Sequence, residues 1–226
     1  MRAPLVVVTG VGTGLGKTHL AEALVRRWGR SARVAGFKPV ETGVGEDVCA
    51  TDDGGRLEAA STFHVKHSEL GVRLRTPVSP HLAAEREGRV LDVAVLTATV
   101  ERLRQACDGV VVELAGGLFS PFTGALLNAD VLAHLEPSKT LLVAVDRLGV
   151  LHDVLATSRA AHRPLEVVLI DPVERDASTG TNAAELRRFC AHVVWGPLPR
   201  ASSLALADDA TIASLISEVR GVRGPS

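Results

Sequence analysis

Thr9-Gly10-Val11-Gly12-Thr13-Gly14-Leu15-Gly16-Lys17-Thr18 joins the apolar run Leu5-Val6-Val7-Val8 to a stretch over 17–28 in which Leu20, Ala21, Leu24 and Val25 recur at helical spacing. A continuous Val-rich run suits a central parallel strand covered on both faces, and the spacing after the loop suits an amphipathic helix. A glycine loop between two such elements can turn its backbone N–H groups around phosphate oxygens at the positive end of the helix. Lys17 would add a mobile charge for the β- and γ-phosphates, and Thr18 a hydroxyl for Mg²⁺. Gly12, Thr13, Gly14, Leu15, Gly16, Lys17 and Thr18 are thus the candidate cradle for a triphosphate. The spacing departs from the usual Gly-x4-Gly-Lys-Thr, because Val11 occupies the position six before Lys17. The loop reads Gly10-x-x-Thr13-x-x-Gly16-Lys17-Thr18 instead.

Outward from the loop, strands and helices alternate. Strands are predicted over 33–37, 109–113, 140–145, 165–170 and 192–195, and helices near 82, over 92–106, 151–161, 185–191 and 211–219. The pattern weakens between Glu41 and Arg75, where only a short helix from about Leu57 is expected. Alternation of this kind predicts an α/β fold of the P-loop NTPase type, with one doubly wound, mostly parallel sheet. All 226 residues are expected to form a single domain, with 220–226 as a flexible tail.

The hydrophobic fraction is 46% and the charged fraction 23%, enough apolar material for a core. Twenty-five basic residues against 26 acidic ones give a net charge of −1, so nothing in the charge balance draws nucleic acid or an anionic membrane. Aromatics make up 3% and Tyr is absent, which removes the stacking platforms of single-strand binders. Cys49, Cys107 and Cys190 are too far apart for a Cys-x-x-Cys pair and read as thiols in a reducing compartment. No leader pattern and no apolar run of about 20 residues is visible, so the expectation is a cytoplasmic protein.

Other chemistry-bearing residues are weaker by themselves. Glu113 ends an apolar strand, where open parallel sheets bind ligands and a carboxylate can hold Mg²⁺. Asp52 and Asp53 precede two glycines and are as readily turn residues. Lys38 follows a strand and precedes Pro39; alone it reads as a surface lysine sooner than as a ligand. The histidines show no metal-ligand spacing, and His81 after Pro80 reads as a helix-entry residue.

Taken together the motifs resemble the dethiobiotin synthetase family. The resemblance is carried by the loop itself, by Gly36-Phe37-Lys38-Pro39-Val40-Glu41-Thr42-Gly43 and by Pro77-Val78-Ser79-Pro80-His81-Leu82-Ala83. It continues through Val112-Glu113-Leu114-Ala115-Gly116-Gly117, Arg147-Leu148-Gly149 and Gly196-Pro197-Leu198-Pro199. It implies an ATP- and Mg²⁺-dependent cyclo-ligase that converts 7,8-diaminopelargonate and CO2 or bicarbonate to dethiobiotin. Such an enzyme phosphorylates a carbamate and then closes a ring. On the resemblance Lys17, Lys38, Thr13 and Thr42 are catalytic, and Thr18, Asp53 and Glu113 hold the metal. Thr42 and Gly116 face the substrate, and Leu148, Gly149, Val150, Leu151 and His152 bind its distant carboxylate across a homodimer interface. Asp171, Pro197, Leu198 and Pro199 flank the base.

Two positions depart from the family pattern. Leu114 stands where its first loop glycine belongs, and a positive φ there would strain leucine. Asp171 aligns with a base-reading asparagine; a carboxylate only accepts hydrogen bonds, whereas adenine needs a donor and an acceptor. Either Asp171 relaxes the preference for ATP towards other nucleoside triphosphates, or it lies outside the base pocket. A P-loop switch ATPase of the partition or septum-positioning type is the competing reading, as is a weakened synthetase paralogue. Gly12 replaces the early loop lysine of the switch group, and no basic amphipathic tail is present.

Overall fold

Val7 and Val8 are fully buried in β1 (Leu5–Gly10), because this strand is hydrogen-bonded on both edges and covered on both faces. The computed structural model describes residues 2–221. After β1 the chain runs α1 (Lys17–Gly29), β2 (Val34–Phe37), β3 (Val40–Thr42), α2 (Asp53–Ala60), α3 (His67–Leu70) and β4 (Val72–Leu74). Then follow α4 (Pro80–Arg86), α5 (Val93–Ala106), β5 (Gly109–Glu113), α6 (Asn128–Leu135), β6 (Lys139–Val145) and α7 (Val150–Ala161). The last elements are β7 (Glu166–Ile170), α8 (Asn182–Phe189), β8 (Val194–Leu198), α9 (Ser203–Leu206) and α10 (Ala210–Gly221).

Six strands form the main sheet in the order β2-β5-β1-β6-β7-β8, and each neighbouring pair is parallel. This is the doubly wound α/β architecture expected from the alternation, with β3 and β4 forming a separate two-stranded parallel sheet. The chain first builds on one side of β1 and later, from β6, on the other. The loop after β1 therefore opens into the crevice where such sheets take their ligands.

Alternate residues of the central strands feed cores on opposite faces. Val6 and Val8 pack with Leu20, Leu24 and Trp28 of α1, whereas Leu5 and Val7 pack with Val100 and Leu103 of α5. Trp28 lies flat over the start of β5: a Cβ at Gly109 would stand 2.2 Å from its ring, so only glycine fits.

Several boundaries differ from expectation. The last strand is Val194–Leu198 and not 192–195, because the ladder with β7 shifts register and continues to the pair Ile170↔Leu198. The C-terminal helix extends through Gly221, so the expected tail does not begin at 220; residues 222–226 lie outside the described residues. The weak region around 41–75 holds β3, α2, α3 and β4, pieces of three to eight residues too short to show a hydrophobic period. Helix α2 starts at Asp53, four residues before the expected Leu57. Among the described residues no helix is long and apolar enough to cross a membrane.

Candidate active site

The glycine loop leaves β1 and meets α1 at Gly16, whose φ of 90° is left-handed; Gly14 has φ 69°. Leu118 N–H donates to Gly10 O (2.8 Å), and Gly117 lies against the loop backbone, where a Cβ would approach Gly10 O to 3.1 Å. The segment after β5 thus braces the phosphate loop from beneath. Lys17 Nζ donates to Gly12 O (2.7 Å), folding the lysine back along the loop. Burial lowers the Lys17 pKa, and the nearby Lys38 charge pushes the same way against the attraction of Glu113.

The loop forms one wall of a cavity of about 570 Å³. Thr13, Gly14, Leu15, Gly16, Lys17 and Thr18 line it, as do Lys38, Thr42, Asp53, Glu113 and Gly116. Eleven residues picked out from separate stretches of sequence therefore meet in one space. Gly12 stands at its edge, supplying the carbonyl for Lys17.

At the floor Lys38 Nζ donates to Glu113 Oε1 (2.7 Å) and to Asp53 Oδ2, and Thr18 Oγ1 donates to the same Glu113 oxygen (3.0 Å). Lys38 is 6% exposed and Glu113 1%. Desolvation works against the Lys38 charge, but Glu113 and Asp53 outweigh it and raise its pKa. The same ammonium draws the Asp53 carboxyl below its ordinary value, against the opposing effect of burial. Lys38 N–H donates to His67 Nε2 (3.1 Å), so His67 is buried as a neutral ring with its Nδ1 towards Val65 O (3.2 Å). Burial lowers the His67 pKa in keeping with that state.

Glu113 Oε2 is buried and has no hydrogen-bond partner. A bare acceptor beside the Thr18 hydroxyl and the Asp53 carboxylate is a set of hard oxygen donors that suits Mg²⁺. Mg²⁺ typically takes one or two protein carboxylates and completes its shell with phosphates and water. The described residues hold no group of three or more His, Cys, Asp or Glu side chains able to bind a metal.

A second cavity, of about 290 Å³, shares Gly16, His19 and Arg200 with the first and is otherwise lined by groups such as Ile170, Pro199 and Leu206. Its walls set apolar groups beside His19, Arg200 and Ser202. Of the residues expected to flank the base, Pro199 lines this cavity, whereas Leu198 is sealed in the core and Pro197 is exposed on β8. Asp171 is half-buried and not among the lining residues. Its N–H donates to Leu198 O (2.8 Å) and its carbonyl accepts from Arg200 Nε (3.1 Å).

Leu148, Gly149, Val150, Leu151 and His152 lie apart from both cavities, at the turn from β6 into α7 along the same edge of the sheet. Leu148 N–H donates to Asp176 Oδ2 (2.8 Å) and Val150 N–H to Arg147 O (3.1 Å), while the Leu148 side chain is 78% exposed. Leu114 carries no strain: its φ is not positive, and the positive angle of that loop falls at Gly116 (77°). The leucine side chain is buried and its N–H donates to Val8 O (3.0 Å).

Sequence reasoning missed Glu41, Arg56, Arg73 and Arg200. Glu41, Arg56 and Arg200 line the main cavity, and Arg73 holds Glu41 by an ion pair (3.0 Å). Glu41 stood inside the motif Lys38–Gly43 and was the one legible signal; isolated arginines carry none.

A protein-family model described as an AAA domain matches residues 5–207. The chain is 36% identical over 221 residues to the ATP-dependent dethiobiotin synthetase BioD of Aromatoleum aromaticum, covering 92% of this chain and 94% of that one. It is 34% identical over 212 residues to the protein of the same name from Rhodopirellula baltica, covering 83% and 81%. Among solved structures it resembles the hydrogenase maturation factor HypB of Archaeoglobus fulgidus, with a TM-score of 0.60 at 16% identity over 97% of this chain and 90% of that one. It also resembles the MinC:MinD cell division complex of Aquifex aeolicus, with a TM-score of 0.55 at 14% identity over 99% and 98%. At such identities these two likenesses speak for the P-loop fold alone.

Proposed function

Because the chain belongs to the ATP-dependent dethiobiotin synthetase family, whose members are nucleotide-using ligases of biotin biosynthesis, we propose that it closes the ureido ring of dethiobiotin from 7,8-diaminopelargonate, CO2 and ATP. The observation that carries this reading is the convergence of Lys17, Lys38, Thr18, Asp53 and Glu113 on one cavity at the carboxyl edge of the sheet.

The reaction must bring two anions together, a substrate carbamate and a triphosphate. The loop N–H groups and Lys17 bind the phosphates and draw charge towards the β–γ bridge. Lys38 stands at the floor of the cavity beside Thr18, where its ammonium neutralises the carbamate as a carbamate oxygen bonds to the γ-phosphorus and ADP leaves, giving the mixed anhydride. The free amine of the substrate then displaces phosphate from the mixed anhydride and closes the ring. Thr13 and Thr42 line the same space and offer hydroxyls to the carbamate or its metal. Thr18, Asp53 and Glu113 would hold Mg²⁺, which would supply charge neutralisation for the phosphates. Leu151 and His152, in the first turn of α7, have no acceptor one turn earlier within the helix and leave N–H groups for the substrate carboxylate. In this reading that carboxylate is presented from the second subunit of a homodimer.

The test is an assay with diaminopelargonate, bicarbonate, Mg²⁺ and ATP, following dethiobiotin and phosphate. Formation of both in equal amounts is expected. Nucleotide hydrolysis indifferent to diaminopelargonate, with no dethiobiotin, would instead favour a switch ATPase. Base preference is a separate question. The cavity proposed for the base is lined without the Asp171 side chain, so the ground for a relaxed ATP preference falls away and a preference for ATP is expected. Steady-state kinetics with ATP, GTP and CTP decide it, and equal turnover with GTP or CTP would return Asp171 to the base pocket.

A further inference from the structure

Helix α2 carries Asp53 as its first residue, yet its own cap is engaged elsewhere. Asp52 occupies the N-cap position, where an aspartate ordinarily accepts from the N–H groups just inside the helix. Here its Oδ2 accepts from Cys49 N–H (2.9 Å) and from Arg73 Nη2 (2.6 Å). The helix N–H groups are taken instead by Glu41, which accepts from Asp53 N (2.6 Å) and, more loosely, from Gly54 N (3.3 Å). Gly54 makes the approach possible, since a Cβ there would stand 3.1 Å from Glu41 Oε2 and 3.2 Å from His67.

Arg73 fixes the carboxylate in turn. Glu41 on β3 and Arg73 on β4 are partners in the register of the small sheet. Their side chains are 8% and 7% exposed, with Arg73 Nη1 3.0 Å from Glu41 Oε2. The remaining guanidinium donors reach Gly45 O (3.0 Å), Asp47 O (2.9 Å) and Asp52. All these acceptors lie on β3 or on the stretch that leads from it to Asp53. A buried ion pair is a poor way to gain stability, since apolar residues of equal volume commonly do as well. The grouping of its partners around one carboxylate indicates a different task.

We propose that Glu41 and Arg73 are positioning residues that aim Asp53 into the cavity: Glu41 grips the backbone at Asp53 and Gly54, and Arg73 clamps Glu41 to the segment before it. The inference rests on the reading in which Asp53 holds Mg²⁺. A carboxylate anchored through its own main chain presents its oxygen at a fixed place, and loss of such supporting partners typically weakens metal binding about 10–100-fold.

Mn²⁺ binding in the presence of a non-hydrolysable ATP analogue, read from the free-ion EPR signal, tests the idea apart from turnover. Asp53→Asn and Glu41→Ala should each weaken Mn²⁺ binding by about tenfold or more, while metal-free nucleotide affinity does not fall. Glu41→Gln keeps an oxygen at the same reach and should restore most of the binding. Normal Mn²⁺ affinity in Glu41→Ala alongside a loss in Asp53→Asn overturns the positioning role. Normal affinity in Asp53→Asn removes the reading of Asp53 and the proposal with it. If Glu41→Ala does not fold, Arg73→Lys carries the comparison, because one ammonium cannot span Glu41, Asp52 and two carbonyls; wild-type Mn²⁺ binding in that variant counts equally against the proposal.

Discussion

The Lys38 ammonium sits between Asp53 and Glu113, and its backbone N–H is tied to a neutral histidine. Its removal has two separable effects. Lys38→Ala is expected to lower turnover by about 10²-fold or more, the scale of losing one donor aimed at developing charge. It also leaves Glu113 buried without its cation, which costs about 3–5 kcal/mol in the ligand-free protein. Mg²⁺ and nucleotide together should recover part of that loss, because a ligand bound only by the native state stabilises it. Kinetics and thermal unfolding with and without Mg–ATP measure both effects, and near-normal kinetics would take Lys38 out of the chemistry. The cysteines separate by environment. Cys49 is exposed and its pKa is lowered by a hydrogen bond with Thr51 Oγ1 (3.1 Å), whereas burial pushes Cys107 up to about 11. Iodoacetamide at pH 7.5 should therefore modify Cys49 well before Cys107 in a peptide-mapping time course; equal rates would contradict that ordering. The loop residues and Lys38 were legible in the sequence because motifs bind them to their neighbours. Arg73 was not, since its role depends on a pairing across the small sheet that only the folded chain creates.

The long elements were legible, because α1, α5 and the central strands each bury a face wide enough to impose a period on the sequence. The short ones were not. β3 and β4 have three residues each, and α2 has two glycines in its first turn. Propensity alone would not form them; Glu41, Arg73 and the packing of Gly55 against Cys49 O, where a Cβ would come within 2.1 Å, do so instead. A similar contact joins α1 to β5. Gly109→Ala would drive a methyl group into the buried Trp28 ring, and a cost of about 1–3 kcal/mol is expected from such overpacking. The urea midpoint measures it, and an unchanged midpoint would show that the helix moves aside freely.

The position of the site follows from the order of the sheet: strands added first on one side of β1 and then on the other leave the crevice open above it. That much could be read from the alternation of strands and helices. The proposed homodimer came from the family resemblance alone and not from any pattern in the chain, since it depends on surface shape around residues such as the exposed Leu148. Leu148→Asp leaves the fold undisturbed at so open a position. In sedimentation velocity it should shift a wild-type dimer towards monomer, and an unchanged profile would place any interface elsewhere. The strand order bears also on how the chain reaches its native state during synthesis. β5 lies between β1 and β2, although both precede it by more than a full helix. Until residue 113 has left the ribosome, β1 and β2 share no neighbour, and their exposed edges must wait through the intervening stretch. Nascent chains ending before β5 should thus be digested rapidly by protease, with resistance gained only after β5 and β6 emerge and flank β1.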